Sequence, residues 1–134
     1  MIYGDKTEKI IQAFYKVYNT LGYGFLEKVY QNALLIELRK MGFQCQSEML
    51  VKVFYDGTIV GDYRADIVVD NCIIIENKAA EVLLEEHEFQ LINYLKATEI
   101  EVGLLLNFGK RPEFKRKIYS NKKRSDDTYL ADNQ

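Results

Sequence analysis

Asp66, Glu76 and Lys78 are the residues of this chain whose types and spacing could do chemistry. Asp66 interrupts Tyr63-Arg64-Ala65-Asp66-Ile67-Val68-Val69, which otherwise reads as an interior strand. Glu76 and Lys78 close the run Ile73-Ile74-Ile75-Glu76-Asn77-Lys78, so a carboxylate and an amine two residues apart project from one strand face. Ionised groups in a core strand are costly unless paired or bound to a metal ion. Whether the two carboxylates converge is a question of strand parity. A two-residue turn at Asp70-Asn71 sets Asp66 opposite Ile75 and on the wrong side of the sheet from Glu76. A three-residue connection, Asp70-Asn71-Cys72, pairs Ile67 with Ile75 and Val69 with Ile73 and brings both carboxylates to one face. The three-residue connection is expected.

Two carboxylates, the backbone carbonyl of Asn77 and waters make an all-oxygen donor set suited to Mg²⁺ or Mn²⁺. Zn²⁺ is not expected, because the chain has no Cys/His cluster and His87 is its one histidine. An ion held there binds a phosphate oxygen as a Lewis acid and acidifies a bound water, while Lys78 orients the attacking hydroxide or neutralises developing charge. The chemistry implied is phosphodiester hydrolysis. A structural ion pair is the plainer reading of the same three residues, but it leaves an excess of buried carboxylate.

The elements that must position these groups follow from periodicity. A helix is expected over residues 5–20, opened by a capping box at Asp5-Lys6-Thr7-Glu8, and a second over 26–41, stopped by Gly42. These two should pack as a hairpin. From Met49 the period changes to two, and Asp56-Gly57 between apolar runs signals a β-hairpin. Strands run to Val69, over 73–78 and over 101–107, with a helix over 83–97 between the last two. Strand, helix, strand in that order argues a crossover joining parallel neighbours. The fold class is α/β: two N-terminal helices, then a four-stranded mixed sheet with a crossover helix.

At 134 residues with 48% apolar side chains, the chain makes one domain whose core needs no metal or disulfide. Cys45 and Cys72 read as reduced thiols, and no apolar run is long enough to span a bilayer, so a cytoplasmic protein without membrane contact is expected. The net charge of −2 hides an asymmetry: residues 1–109 hold 10 Lys/Arg against 16 Asp/Glu, whereas 110–124 hold 8 against 1. Residues 1–109 are therefore expected to form the domain and 110–134 a basic, then acidic, tail. Lys110, Arg111, Lys115, Arg116 and Lys117 are the candidate phosphate-binding residues.

The run Gly24-Phe25-Leu26-Glu27-Lys28-Val29-Tyr30 reproduces the motif that names the GxxExxY proteins, and Asp66 with Glu76-Asn77-Lys78 resembles the PD-(D/E)xK nuclease signature. Gln90-Leu91-Ile92-Asn93-Tyr94 resembles the QxxxY helix of one branch of that superfamily, and Gly103 to Gly109 follows in the expected order. The resemblance implies a restriction-endonuclease-like core in which Asp66 and Glu76 hold the metal and Lys78 is the catalytic amine. It further implies that Glu27 supplies an acid from its helix and that Gln90 and Tyr94 position DNA or site waters. Taken alone, Glu27 also reads as a first-turn acid favoured by the helix dipole, and Gln90 with Tyr94 as a local helix contact. Ala65 stands where the signature has Pro. The implied activity is a metal-dependent nuclease acting on DNA, or on RNA. The alternative is a nuclease-fold module that binds nucleic acid or a protein with little turnover. Little chain remains for choosing a target, so specificity is expected from a partner protein, a homodimer or the substrate's own structure.

Overall fold

The computed structural model of the protein describes residues 2–120. Its elements are α1 (Gly4–Leu21), α2 (Glu27–Lys40), β1 (Cys45–Tyr55), β2 (Thr58–Val69), β3 (Ile73–Lys78), α3 (Glu85–Ala97), β4 (Val102–Asn107) and β5 (Glu113–Ile118). The strands form one sheet in the order β1-β2-β3-β4-β5, with β3 and β4 parallel and every other pair antiparallel. The helical hairpin α1–α2 covers one face, where Ile10, Phe14, Tyr30 and Leu34 pack on Ile67, Ile75, Leu104 and Leu106. The crossover helix α3 covers the other, with Leu91 and Leu95 against Val68, Ile74 and Leu105. Helix α3 lies so close to β4 that a Cβ on Gly103 would come within 2.7 Å of Leu91 Cδ1. No described helix is long and apolar enough to cross a membrane.

Two expectations are corrected. The capping box at Asp5–Glu8 does not form, because the helix is capped two residues earlier, at Tyr3: the Thr7 N–H already donates to the Tyr3 carbonyl, and Asp5 sits inside the first turn. The sheet has five strands, not four. Strand β4 is buried along its whole length, so its free edge must be paired, and β5 pairs with it residue for residue from Val102↔Ile118 to Asn107↔Glu113. The basic segment expected to trail the domain from Lys110 therefore enters the sheet and runs through Ile118, turning Phe114 toward Tyr15 of α1 and Lys117 toward Glu88 of α3. The remaining tail residues, from Asn121 to Gln134, lie outside the described residues.

The connection between β2 and β3 is the three-residue one. Ile67 pairs with Ile75, Val68 with Ile74 and Val69 with Ile73. Asp70 and Asn71 both take left-handed backbone angles, a conformation that Asp and Asn tolerate better than most residues. Asp70 is also held from both sides, its carboxylate accepting from the Gln44 N–H and pairing with Lys6 at 2.9 Å.

Candidate functional site

The paired stretch of β2 and β3 ends at Ile67 and Ile75, and beyond it the strands part. Strand β2 continues with β1 into a two-stranded ribbon that ends at Asp56-Gly57, whereas β3 continues beside β4 to Lys78. Asp66 and Glu76 stand at this fork, where backbone N–H groups lose their ladder partners. Their own carboxylates take over: Glu76 Oε1 accepts the Asp66 N–H at 2.9 Å, and Asp66 Oδ2 accepts the Asn77 N–H at 2.8 Å. Each acid is thus locked onto the other's strand, and the pair converges as the parity argument requires.

Such convergence inside a protein has an electrostatic cost. Burial pushes the Glu76 carboxyl up, and the neighbouring Asp66 charge pushes it further, to about 8. Asp66 is also raised, mainly by burial, against the Asn77 N–H that favours its ionised form. Lys78 favours the ionised form of both acids, so its ammonium lies within their field. Among the described residues no three His, Cys, Asp or Glu side chains converge as a ready-made metal cluster. The donor set does suit a hard divalent cation: two oriented carboxylates and the main chain of Asn77, burdened with a buried negative charge that a cation relieves.

The other expected residues approach from two helices. Glu27 opens α2, is exposed, and acts on Asp66 through its charge. Gln90 and Tyr94 lie on α3, where the amide of Gln90 donates to the Tyr94 hydroxyl at 3.1 Å. Burial, then the charges of Glu76 and Asp66, push the Tyr94 hydroxyl up to about 12, so it faces the site as a donor that keeps its proton. His87 stays outside and caps α3, accepting the Leu84 N–H on Nδ1 at 3.1 Å.

One acid escaped the sequence reading. Ser47↔Ile67 and Met49↔Ala65 leave Glu48 of β1 opposite Asp66, so Glu48, Asp66 and Glu76 stand at one level across three strands. Glu48 has a left-handed backbone, φ 55°, and its carboxylate is held by Lys28 and by Gln31 Nε2 at 3.1 Å. The same Gln31 amide donates to the Asp66 carbonyl, linking the two acids through α2. A two-residue hairpin at Asp56-Gly57 places Ala65, not Asp66, across from Glu48. A register shift between Val53 and Phe54 supplies the missing residue.

Aromatic and amide clamps hold the fork in place. The Tyr30 hydroxyl donates to the Gly22 carbonyl at 2.6 Å and accepts the Phe25 N–H at 3.2 Å, fixing the loop that delivers Glu27. The Tyr30 ring stacks on Phe108 at 4.5 Å, and the Phe108 N–H donates to the Lys78 carbonyl at 2.7 Å. Next to it, the Asn107 amide donates to the Ala80 carbonyl and accepts the Ala80 N–H, both at 2.9 Å. Gly109 makes this approach possible, since a Cβ there would lie 2.0 Å from the Ala80 carbonyl oxygen. Gly109→Ala is therefore expected to cost about 1–3 kcal/mol through forced displacement of the Lys78–Ala80 segment. Thermal unfolding should show a midpoint several degrees lower, and an unchanged midpoint contradicts the clamp.

The expected phosphate-binding residues divide on β5 and the turn before it. Arg116 Nη2 donates to the Ile2 carbonyl at 2.6 Å and Lys117 pairs with Glu88, so both serve the fold. Lys110, Arg111 and Lys115 are exposed.

Comparison with known proteins bears on this arrangement. The family model of the PD-(D/E)XK nuclease superfamily matches residues 4–117. No curated protein matches the chain. The solved structure of SSO0001 is similar over 78% of this chain and 58% of that one, with TM-score 0.57 and 23% identity. An alkaline exonuclease from Laribacter hongkongensis is similar over 78% of this chain and 64% of that one, with TM-score 0.53 and 12% identity. The chain thus spans under two thirds of each of these structures.

Proposed function

The chain belongs to the PD-(D/E)XK nuclease superfamily, and from that premise we propose that it is a divalent-metal-dependent nuclease hydrolysing phosphodiester bonds of DNA. The observation that carries the reading is the reciprocal seating of the Asp66 and Glu76 carboxylates at the fork of β2 and β3, with Lys78 in their field. Asp66, Glu76 and the main-chain carbonyl of Asn77 are the residues to hold the ion, with Glu27 reaching it from α2. When bound, Mg²⁺ or Mn²⁺ supplies Lewis acidity toward the phosphate and lowers the pKa of a water. Lys78 carries the positive charge that offsets the negative charge gathering on the phosphate oxygens as the nucleophile adds. The hydrogen-bonded pair Gln90–Tyr94 presents a hydroxyl that keeps its proton, suited to donating to a phosphate oxygen or a site water. Lys110, Arg111 and Lys115 are left for contacts with the strand beyond the scissile bond. The Gly24–Tyr30 run supports a place in the GxxExxY branch.

Purified protein incubated with single-stranded DNA, duplex DNA and RNA is expected to cleave DNA with Mg²⁺ or Mn²⁺ and to stop in EDTA. Cleavage that persists in EDTA overturns the metal assignment. Binding without cleavage in either metal leaves a nucleic-acid-binding module and overturns the enzyme.

A further inference from the structure

Between the β1–β2 ribbon and α3 lies a cavity of about 1010 Å³. Rings line it from both sides: Phe54 and Tyr63 from the ribbon, and His87, Phe89 and Tyr94 from α3. Phe54 and Phe89 are 61% and 58% exposed, far more than packing requires of phenylalanine, while Tyr63 lies 5.9 Å from Tyr94 ring to ring. The cavity and the carboxylate fork meet at Tyr94, which lines the cavity beside Gln90 and lies within the field of Glu76 and Asp66. Charge in the cavity wall is sparse, with Lys52 and Lys96 against Glu86.

This composition selects among the possible forms of substrate. A duplex presents phosphates and hides the faces of its bases, so it is gripped by many cations. An unpaired strand exposes base faces that stack on aromatic rings and needs few cations. We propose that the groove between the ribbon and α3 binds single-stranded DNA by stacking successive bases on Phe54, Tyr63 and Phe89, and leads that strand to the Asp66–Glu76 fork. The proposal rests on the nuclease reading and adds the form of its substrate.

The test measures binding apart from cleavage. In a Glu76→Gln background with Mg²⁺, a labelled 20-nucleotide oligo-dT is expected to bind at least about tenfold tighter than a blunt duplex of equal length. Phe54→Ala and Phe89→Ala, both at exposed positions, should each weaken binding about tenfold, the loss of roughly one stacked base. With Lys52 and Lys96 in the groove and Lys110, Arg111 and Lys115 available to the strand beyond it, log K should fall against log salt with a slope between about −1.4 and about −3.5. Equal affinity for duplex, affinity unchanged in both Phe variants, or a slope steeper than about −4 overturns the proposal. So does a change of oligomeric state in those variants without a change in affinity, which assigns the rings to a second copy of the chain. If oligo-dT binds as expected and the native protein cleaves nothing, the groove stands and the nuclease reading falls.

Discussion

Lys78→Ala is expected to lower metal-dependent cleavage by about 10²–10⁴-fold, the range for removing a group that acts only on developing charge. Its effect on metal binding should run the other way. The Lys78 ammonium lies in the field of two carboxylates that burial already makes reluctant to ionise. Removing it deletes a positive charge that competes with the ion, so Mg²⁺ or Mn²⁺ affinity, read by calorimetry, should hold or tighten while turnover collapses. Glu76→Gln separates the other way, because it removes a ligand, and both metal binding and cleavage should be lost. If Lys78→Ala weakens metal binding as much as Glu76→Gln does, the lysine organises the site and does not act on the phosphate. Thermal unfolding of both variants guards against simple loss of fold. Lys78 closes β3, its carbonyl held by Phe108 irrespective of its side chain, so the alanine variant should remain folded.

What was legible in the sequence, and what was not, divides along the range of the physics involved. The turn at Asp70–Cys72 could be read because parity is local: only one loop length lets Asp66 and Glu76 share a face, and the buried charges of Asp66, Glu76 and Lys78 demanded company. Strand β5 was hidden because Lys115 and Lys117 alternate with Phe114, Arg116 and Ile118, and the density of positive charge masked the period of two. Glu48 was hidden for a different reason. Its place opposite Asp66 depends on a one-residue register shift further along the ribbon, which no turn residue announces. The roles of Tyr30 and Asn107 were out of reach because their partners are set by tertiary packing. Asn107 clamps Ala80 from 27 residues away, and Tyr30 meets Lys78 only through Phe108. Sequence periodicity thus located the carboxylate fork, while the parts that hold it steady belong to contacts between elements.

The buried carboxylate pair leads to a second expected result, an inverted dependence of stability on pH. A carboxyl raised in the folded state favours folding fully below its unfolded pKa and loses that advantage as the pH climbs toward the folded value. For Glu76 the window runs from the ordinary value of 4.5 to about 8, and Asp66 is shifted in the same direction. The metal-free protein should therefore lose on the order of 4 kcal/mol of stability between pH 5 and 8, at about 1.4 kcal/mol for each pH unit in which only the folded state keeps the proton. Asp70, Glu37, Glu48 and Glu88 do not blur this window. Their pKa values are lowered by Lys6, Lys16, Lys28 and Lys117 respectively, so their contributions fade only as the pH falls through the ordinary carboxylate values, 3.8 for Asp70 and 4.5 for the three Glu. Lys6, raised by Asp70, matters only above its usual range. In EDTA, Glu76→Gln removes the titrating group and should unfold at a higher temperature than the native chain at pH 8, with the two curves converging near pH 5. Adding Mg²⁺ or Mn²⁺ at pH 8 should reverse the order, because an ion that binds only the folded chain stabilises the ionised pair and does little for the variant. A flat stability profile between pH 5 and 8, or a Glu76→Gln protein no more stable than the native one at pH 8 in EDTA, means that the pair is compensated from within. The fork would then have no electrostatic need for a cation.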